Sequence, residues 1–576
     1  MKKHWFLWAV VGALATLPLV ISAQDMPDMP EMPMETNGDT DMGPVAASTM
    51  RAAIWTNKLG YAGGEEMRVY LTLDAMGDVH EYTYFVYREN IETGMRQYLG
   101  AQTEGAMLGD AVMDTLGATE MFQARPVPAL DQSLIWRAAV PAPGLWHWVL
   151  EVRGADATQV VKRAYAKFVV SQSPEVVLGA DGTDTEISTD TTWTNDAIYH
   201  IQHQVFVNAG ATLTIEAGTL ILASGQNAVL VVERGAKIMA EGRREAPIVM
   251  TCDQPVGQRS SGCWAGLIVL GNAPMTRGTG LAEGVIPETR PAYGGDDPLD
   301  SSGVLRYVRV EFAGVDFNPE TQPNAFGFHG VGAGTVIDHI QAHEGEDDGI
   351  EFFGGTANCT YCVSSGSKDD SLDWAFGWQG TGQFIFIQQD TSGDNGIEAD
   401  NDSQGFDRTP RSHPKLYNLT MVGGLAQDLN TTSGDGMRIR VGTAVTARNV
   451  ILTAFGDDAL DVQDNSPSLF MDGTSSIANA ILHANGGNEG TAQIRGGVEG
   501  DVMFQDSDPM LVNVRFEANP DPRPMPGSPA LLIGSGATPP SDGALDTSAQ
   551  FVGAFGAENW LEEWTFFGDE FDYDVL

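Results

Sequence analysis

A short acidic phrase recurs through the second half of the chain, and its spacing limits the possible folds more than any other feature. It reads "EGEDDGIEFFGG" at 344–355, "SKDDSLDWAFG" from Ser367, "GDNGIEADND" from Gly393, "SGDGMRIRVG" from Ser433 and "FGDDALDVQDN" from Phe455. The second residue of each acidic pair, or its equivalent, is Asp348, Asp370, Asn395, Asp435 and Asp458, so successive copies stand 22, 25, 40 and 23 residues apart. Periods in this range mark solenoids. A repeat near 23 suits one turn of a parallel β-helix, and the 40-residue step is one turn carrying the insertion "NDSQGFDRTPRSHPK". An alternating apolar strand precedes each later copy, as in "NCTYCVSSG" and "GQFIFIQQD". Each rung is then a strand, an acidic turn, a second strand and a turn.

Alternation along the second strand sorts its side chains. Ile350 and Phe352 share one face, Glu351 and Phe353 the other. Leu372, Ile397, Met437 and Leu460 repeat the Ile350 position and should stack inside the coil. The outward column reads Glu351, Asp373, Glu398, Arg438, Asp461. Rungs lie about 4.8 Å apart, where like charges repel by about 1 kcal/mol in water and several-fold more at lower dielectric. Arg438 relieves one end. Calcium, which takes about six to eight oxygen ligands, would relieve the rest. The candidate ligands are Asp347, Asp348, Glu351, Asp369, Asp370, Asp373, Asp394, Asn395, Glu398, Asp400, Asp402, Asp457, Asp458 and Asp461. Neither a helix-loop-helix calcium loop nor a glycine-rich nonapeptide repeat is present, so the calcium expectation is compositional. The competing reading is a set of solvated turn acids, because Asp-Gly and Asn-Gly suit turns for backbone reasons.

The remaining chain divides by texture. Lys2 and Lys3, an apolar run from Trp5 to Ile21 and the small Ala23 predict an export signal over 1–23. That places the protein in the periplasm, on the cell surface or outside, and no later segment is apolar enough to cross a membrane. Residues 24–50 are Met, Pro and acid, a linker with too little apolar surface to fold. Between 51 and 171, stretches such as "EEMRVYLTLDA" and "GLWHWVLEVRG" alternate with period two and predict an immunoglobulin-like β-sandwich with Trp146 and Trp148 in its core. The β-helix is expected over 172–540, with 541–576, including "WLEEWTFFGDEFDYDVL", closing its open end. Cys252 and Cys263 bracket a hydrophilic loop that a disulfide would staple; Cys359 and Cys362 form either a disulfide or two free thiols. The formal charge of −45 excludes nucleic acid as a partner, since phosphate binding needs a basic face. Cations, cationic polymers, neutral glycans and cell-envelope components remain.

From Asp181 onward, the phrases "GATLTIEAGT", "WAGLIVLGNAP", "LRYVRVEFAG", "DDGIEFFGG", "NGIEADND" and "FVGAFGAENWLEEWT" resemble those of exported bacterial β-helix repeat proteins. The resemblance implies a right-handed parallel β-helix outside the cytoplasmic membrane and no particular reaction. The fold class is therefore all-β, a right-handed parallel β-helix preceded by a sandwich. The work expected of it is binding or structural, with calcium-stabilised turns and a possible glycan ligand.

The alternative is a polysaccharide lyase or glycoside hydrolase. Stacked acids such as Asp348 with Asp370, or Glu351 with Asp373, would supply the two carboxyls that glycoside hydrolysis uses. Pectin hydrolases on this fold add a Gly-His-Gly and an Arg-Ile-Lys. This chain has "FHGVG" around His329 and "RIR" at 438–440, but His329 precedes the acids and its motif differs. A lyase would want a base, for which Arg438 and Lys368 are candidates. His339 and His343 lie four apart on one strand face beside Glu344 and Glu346, a possible transition-metal pair, and Phe353, Trp374 and Trp378 are possible sugar platforms.

Overall fold

The computed structural model describes residues 51–568, apart from 75–80, 100–112, 115–121, 127–129, 155–159, 173–174, 286–289, 316–321, 427–433, 487–492, 515–519, 533–535 and 542. The export signal over 1–23 and the linker over 24–50 lie outside the described residues, as does the end of the chain after 568.

The described residues between 51 and 171 form two sheets packed as a sandwich. One holds Arg51–Thr56, Glu66–Asp74 and Leu130–Ala139; the other is built around Glu81–Asn90, Gly144–Gly154 and Val160–Ser171. Pairing is antiparallel except for the short Gly60–Ala62, which runs parallel to Val160–Ser171. Alternation sends Trp146 and Trp148 inward against Tyr61, Met67 and Phe168, while Leu145 faces out. Leu145 and Val169 then pack on Ile198, Leu220 and Val249, so the sandwich sits on the outer face of the coil's first rungs.

From Val176 to Gln505 the described residues form a parallel β-helix, whose short sheet holds 11 strands, all paired in parallel, from Thr185–Ile187 to Ile494–Arg495, and whose long sheet holds 15. Ile350, Leu372, Ile397, Met437 and Leu460 stand directly in register and are at most 3 % exposed. Phe328 stacks on Phe352 and Phe352 on Trp378. Trp374 is fully buried, its indole N–H donating to Thr443 Oγ1 at 3.0 Å. Trp374 and Trp378 are thus core residues and offer no face to a sugar.

A kink runs down the middle of the long sheet. Tyr307, His339, Tyr361, Phe384, Asn418, Asn449 and Asn479 occupy equivalent positions with φ between 49° and 60°. This left-handed region is costly for most residues and easiest for Asn and Gly. Each kink shifts the alternation by one residue, so Ile337 and Ile340 both point inward, as do Cys359 and Cys362. The structure pairs Cys359 with Cys362 and Cys252 with Cys263.

The segment Leu545–Phe567 does not close an end of the coil, contrary to the expectation for 541–576. It lies along the outer face of the long sheet as a strap, where Trp560, Leu561, Trp564 and Phe567 cover Val363, Phe384, Phe386 and Val422. The reason is the kink column, whose aromatic half (Tyr307, His339, Tyr361, Phe384) stacks at 4.3–4.6 Å and exposes an apolar ridge that needs cover. The asparagine half ties down the same strap: Asn418 Nδ2 donates to Phe551 O at 2.8 Å, and Asn449 Nδ2 donates to Ala537 O at 2.8 Å. Ala537 N–H donates back to Asn449 Oδ1. Asn449→Ala removes two bonds and places a β-carbon-constrained residue at φ 60°. It is expected to cost about 2 kcal/mol and to speed amide exchange at Ala537 while leaving the acidic turns protected, which hydrogen exchange would read.

His339 and His343 do share a face, but that face lies beneath the strap. His339 is stacked between Tyr307 and Tyr361. His343 is fully buried against Phe566, with Ser365 Oγ 2.9 Å from its Nδ1. Among the described residues neither joins a metal-ligating group.

Candidate functional site

The second residue of each acidic turn is buried, while the first ranges from buried Asp347 to exposed Asp369. Asp348, Asp370, Asn395, Asp435 and Asp458 are each at most 6 % exposed. Their side chains form a ladder in which one oxygen accepts the backbone N–H of the equivalent residue one rung on. Asp348 Oδ1 accepts from Asp370 N (3.0 Å), Asp370 Oδ1 from Asn395 N (2.8 Å), Asn395 Oδ1 from Asp435 N (3.1 Å) and Asp435 Oδ1 from Asp458 N (3.0 Å). A tight turn buried between rungs leaves these N–H groups no other partner, so the column demands a short side-chain acceptor, Asp or Asn.

Beside the ladder runs the outward column of the short sheet, in the register expected: Gly327, Glu351, Asp373, Glu398, Arg438, Asp461, Arg495. Its two ends differ. At the C-terminal end acids are paired with arginines. Arg438 reaches Asp435 at 3.0 Å and Asp394 at 3.6 Å. Arg440 bonds Glu398 and, at 2.9 Å, Asp400. Arg495 meets Asp458 at 2.8 Å and Asp461 at 3.7 Å. At the N-terminal end the acids have no such partners: among the described residues no basic side chain forms a salt bridge with Asp348, Glu351, Asp370 or Asp373.

Oxygens converge there in three overlapping groups: Asp347, Asp348 and Asp369; Asp348, Glu351 and Asp373; Asp369, Asp370 and Asp394. Within each group the facing atoms lie within 4.8 Å of one another. Seven of the fourteen candidate ligands named from the sequence are thus brought together. The other seven are not. Asn395 and Asp458 serve the ladder; Glu398, Asp400 and Asp461 are taken by arginines; Asp457 joins no group among the described residues. Asp402 lies apart, clamped by Arg277 at 2.7 Å and Arg408 at 2.8 Å, which hold its carboxyl down to about 2.

Burial and then mutual repulsion push the convergent carboxyls upward. Asp348, Glu351, Asp370 and Asp373 all stand well above the ordinary carboxylate range. Burial is the first cause, and the neighbouring acids are the second. Farther along, burial lifts Glu398 to about 7 against the pull of Arg440, and Asp435 to about 6 against that of Arg438.

Part of the burial comes from residues 271–285 and 290–300, which fold over the short sheet and pack Met275, Ala282, Val285 and Tyr293 against Phe353 and Leu270. They bring in Glu283, pushed up to about 8 by burial and then by Asp347. No repeat signal marks Glu283, which lies outside the coil's periodic segments. Asn324 did carry a signal: "NAFGFHG" is an earlier copy of "DGIEFFG" in the same register. Asn324 is 2 % exposed; its Nδ2 donates to Glu351 Oε2 at 2.5 Å and its Oδ1 is buried without a partner. Asp373 Oδ1 is likewise buried and unpartnered.

The convergent ligand atoms are all carboxylate oxygens, and Asp373 Oδ1 is buried among them without a hydrogen-bond donor, which fits a hard cation such as calcium. They do not fit acid–base catalysis equally well. Lys368 is held by Asp390 at 2.6 Å and stays charged. Arg438 and Arg440 are likewise raised above their ordinary values by their acid partners. His329 is stacked on Phe353 at 4.1 Å and pushed down to about 3 by burial, so it is a neutral packing residue.

Neither the curated proteins nor the solved structures contain a match to this chain. One family model does match, described as a pectate-lyase-like beta helix domain, over residues 185–499. That interval includes every rung of the acidic face and more than half of the 576 residues. The chain belongs to the pectate-lyase-like beta helix family.

Proposed function

We propose that this is an exported polysaccharide-binding β-helix whose acidic face holds calcium. The observation that carries this reading is the unneutralised end of the outward column, where Asp348, Glu351 and Asp373 converge without a basic partner. Asp347, Asp348, Glu351 and Asp373 would hold the ion, with Asp369, Asp370 and Asp394 forming a neighbouring set. Bound there, calcium would supply positive charge for the carboxylates of an acidic glycan. Arg438, Arg440 and Arg495, whose side chains are 22–53 % exposed beside their acid partners, line the route along the same face and are suited to carboxylate or hydroxyl groups.

A lyase is the second reading, favoured by the family match alone. β-Elimination needs a neutral base, and Arg438 and Arg440 on this face are held in their charged forms by carboxylates. Binding without cleavage follows. Affinity electrophoresis in gels containing polygalacturonate, or a neutral glucan for comparison, tests it. Retardation by the uronate gel in calcium, abolished by chelator and accompanied by no unsaturated product, is expected. Ultraviolet-absorbing product would establish the lyase instead, and retardation indifferent to calcium would remove the ion from the account.

A further inference from the structure

The strap covers a flank, and among the described residues both ends of the coil are left open, and they match. The long sheet begins at Val176–Leu178 and finishes at Val502–Gln505, and among the described residues each terminal strand has a single partner in the sheet. Val176 stands opposite Tyr199 and Phe504 opposite Ala480, both partners being core residues of the coil. Val176 and Phe504 thus occupy inward columns, yet they are 37 % and 38 % exposed, against 5 % for Tyr199 and 2 % for Ala480. Val177 and Met503 on the same edges are 45 % and 67 % exposed. A hollow of about 470 Å³ opens beside the last strand, between Ala480, Phe504 and Val552. Neither edge strand carries the lysine, proline or inward charge with which exposed edges are usually blunted, and solenoids require their ends to be covered.

The geometry points to a second copy of this chain as the cover, joined head to tail so that the last rung of one coil pairs with the first rung of the next. Every strand of the long sheet that continues the coil runs parallel to its neighbours, so each edge offers the polarity that the other needs. With Phe504 opposite Val176 and Gln505 opposite Val177, the inward columns continue through the junction and no like charges face each other. The two-fold alternative, edge strand to the same edge strand, must run antiparallel and sets Asp501 of each copy opposite Asp506 of the other. A heterologous contact of this kind builds open chains unless its rotation closes. The formal charge of −45 opposes association over long range, so the contact should strengthen with salt.

Cysteines at Val177 and Gln505 test the junction, since both side chains are exposed and neither change touches the core. Mild oxidation of the Val177→Cys/Gln505→Cys chain in high salt should give a ladder of three or more copies on non-reducing gels, while each single variant stays monomeric. Sedimentation of the unaltered chain should show mass rising with concentration and with salt. A double variant that remains monomeric overturns the proposal, as does an unaltered chain that sediments as one copy at all concentrations. So does a Gln505→Cys single variant that dimerises as completely as the double, which would assign the edge to a two-fold contact.

Discussion

Without calcium, the folded protein should lose stability steadily as pH rises from about 5 to about 8, and calcium should reduce that loss. The sign follows from proton counting. Glu398 at about 7, Asp435 at about 6 and Glu283 at about 8 hold their protons more tightly when folded than at the unfolded values near 4. Asp348, Glu351, Asp370 and Asp373 are displaced in the same direction. Between the unfolded and folded pKa values the native state binds the extra protons, so ΔG of unfolding falls with rising pH. The contribution is fully present below the unfolded pKa and is lost as pH passes the folded one. A carboxyl whose folded pKa lies one pH unit above its unfolded one contributes about 1.4 kcal/mol, and a cluster of this size makes the total several kcal/mol. A cation on the oxygens of Asp348, Glu351 and Asp373 replaces their protons and removes their share of the penalty. Denaturant midpoints measured at stepped pH, in chelator and in calcium, read this directly. A flat profile in chelator would mean that the acids ionise freely and need no counter-charge.

The ladder and the charge cluster share residues, and Asp370 separates them. Its Oδ1 accepts the Asn395 N–H at 2.8 Å while its carboxylate adds to the repulsion around Asp369 and Glu398. Asp370→Ala leaves a buried N–H without an acceptor and a gap in the turn, and should cost about 3 kcal/mol with or without calcium. Asp370→Asn keeps the acceptor and removes the charge, as Asn395 already does one rung on. It should be neutral or stabilising in chelator and should weaken the response to calcium. Chevron or equilibrium denaturation of the pair, each with and without the ion, decides the matter. If both variants cost the same, the turn depends on the charge and the ladder is incidental.

The parts of this architecture that repeat were legible. The spacing of the acidic pairs led to the rungs, and alternation within "DGIEFFGG" led to an inward Ile350 and an outward Glu351 that the strand register bears out. Other features depend on backbone direction, which alternation cannot express. The kink at Tyr361 turns Cys359 and Cys362 to the same side, where strict period two would separate them. The turn N–H groups select Asp or Asn for hydrogen bonding, a reason a string of acids does not display. Asn324 was legible in principle, since "NAFGFHG" repeats the apolar alternation of "DGIEFFG" with Asn324 at the Asp348 position. Glu283 and the strap were not, because their partners lie far away in sequence; Gln341, for example, accepts the Phe566 N–H at 2.8 Å across 225 residues.

Titration of calcium into metal-stripped protein at neutral pH, followed by calorimetry in buffers of differing ionisation enthalpy, puts the central claim at most direct risk. Saturable binding whose heat changes with buffer is predicted, because the ion must displace protons from Asp348, Glu351 and Asp373, and Asp373→Asn should weaken it by tenfold or more, about 1.4 kcal/mol. A folded protein that takes up no calcium, or that binds it without releasing protons and equally well as Asp373→Asn, would contradict the assignment of the acidic face as a cation site.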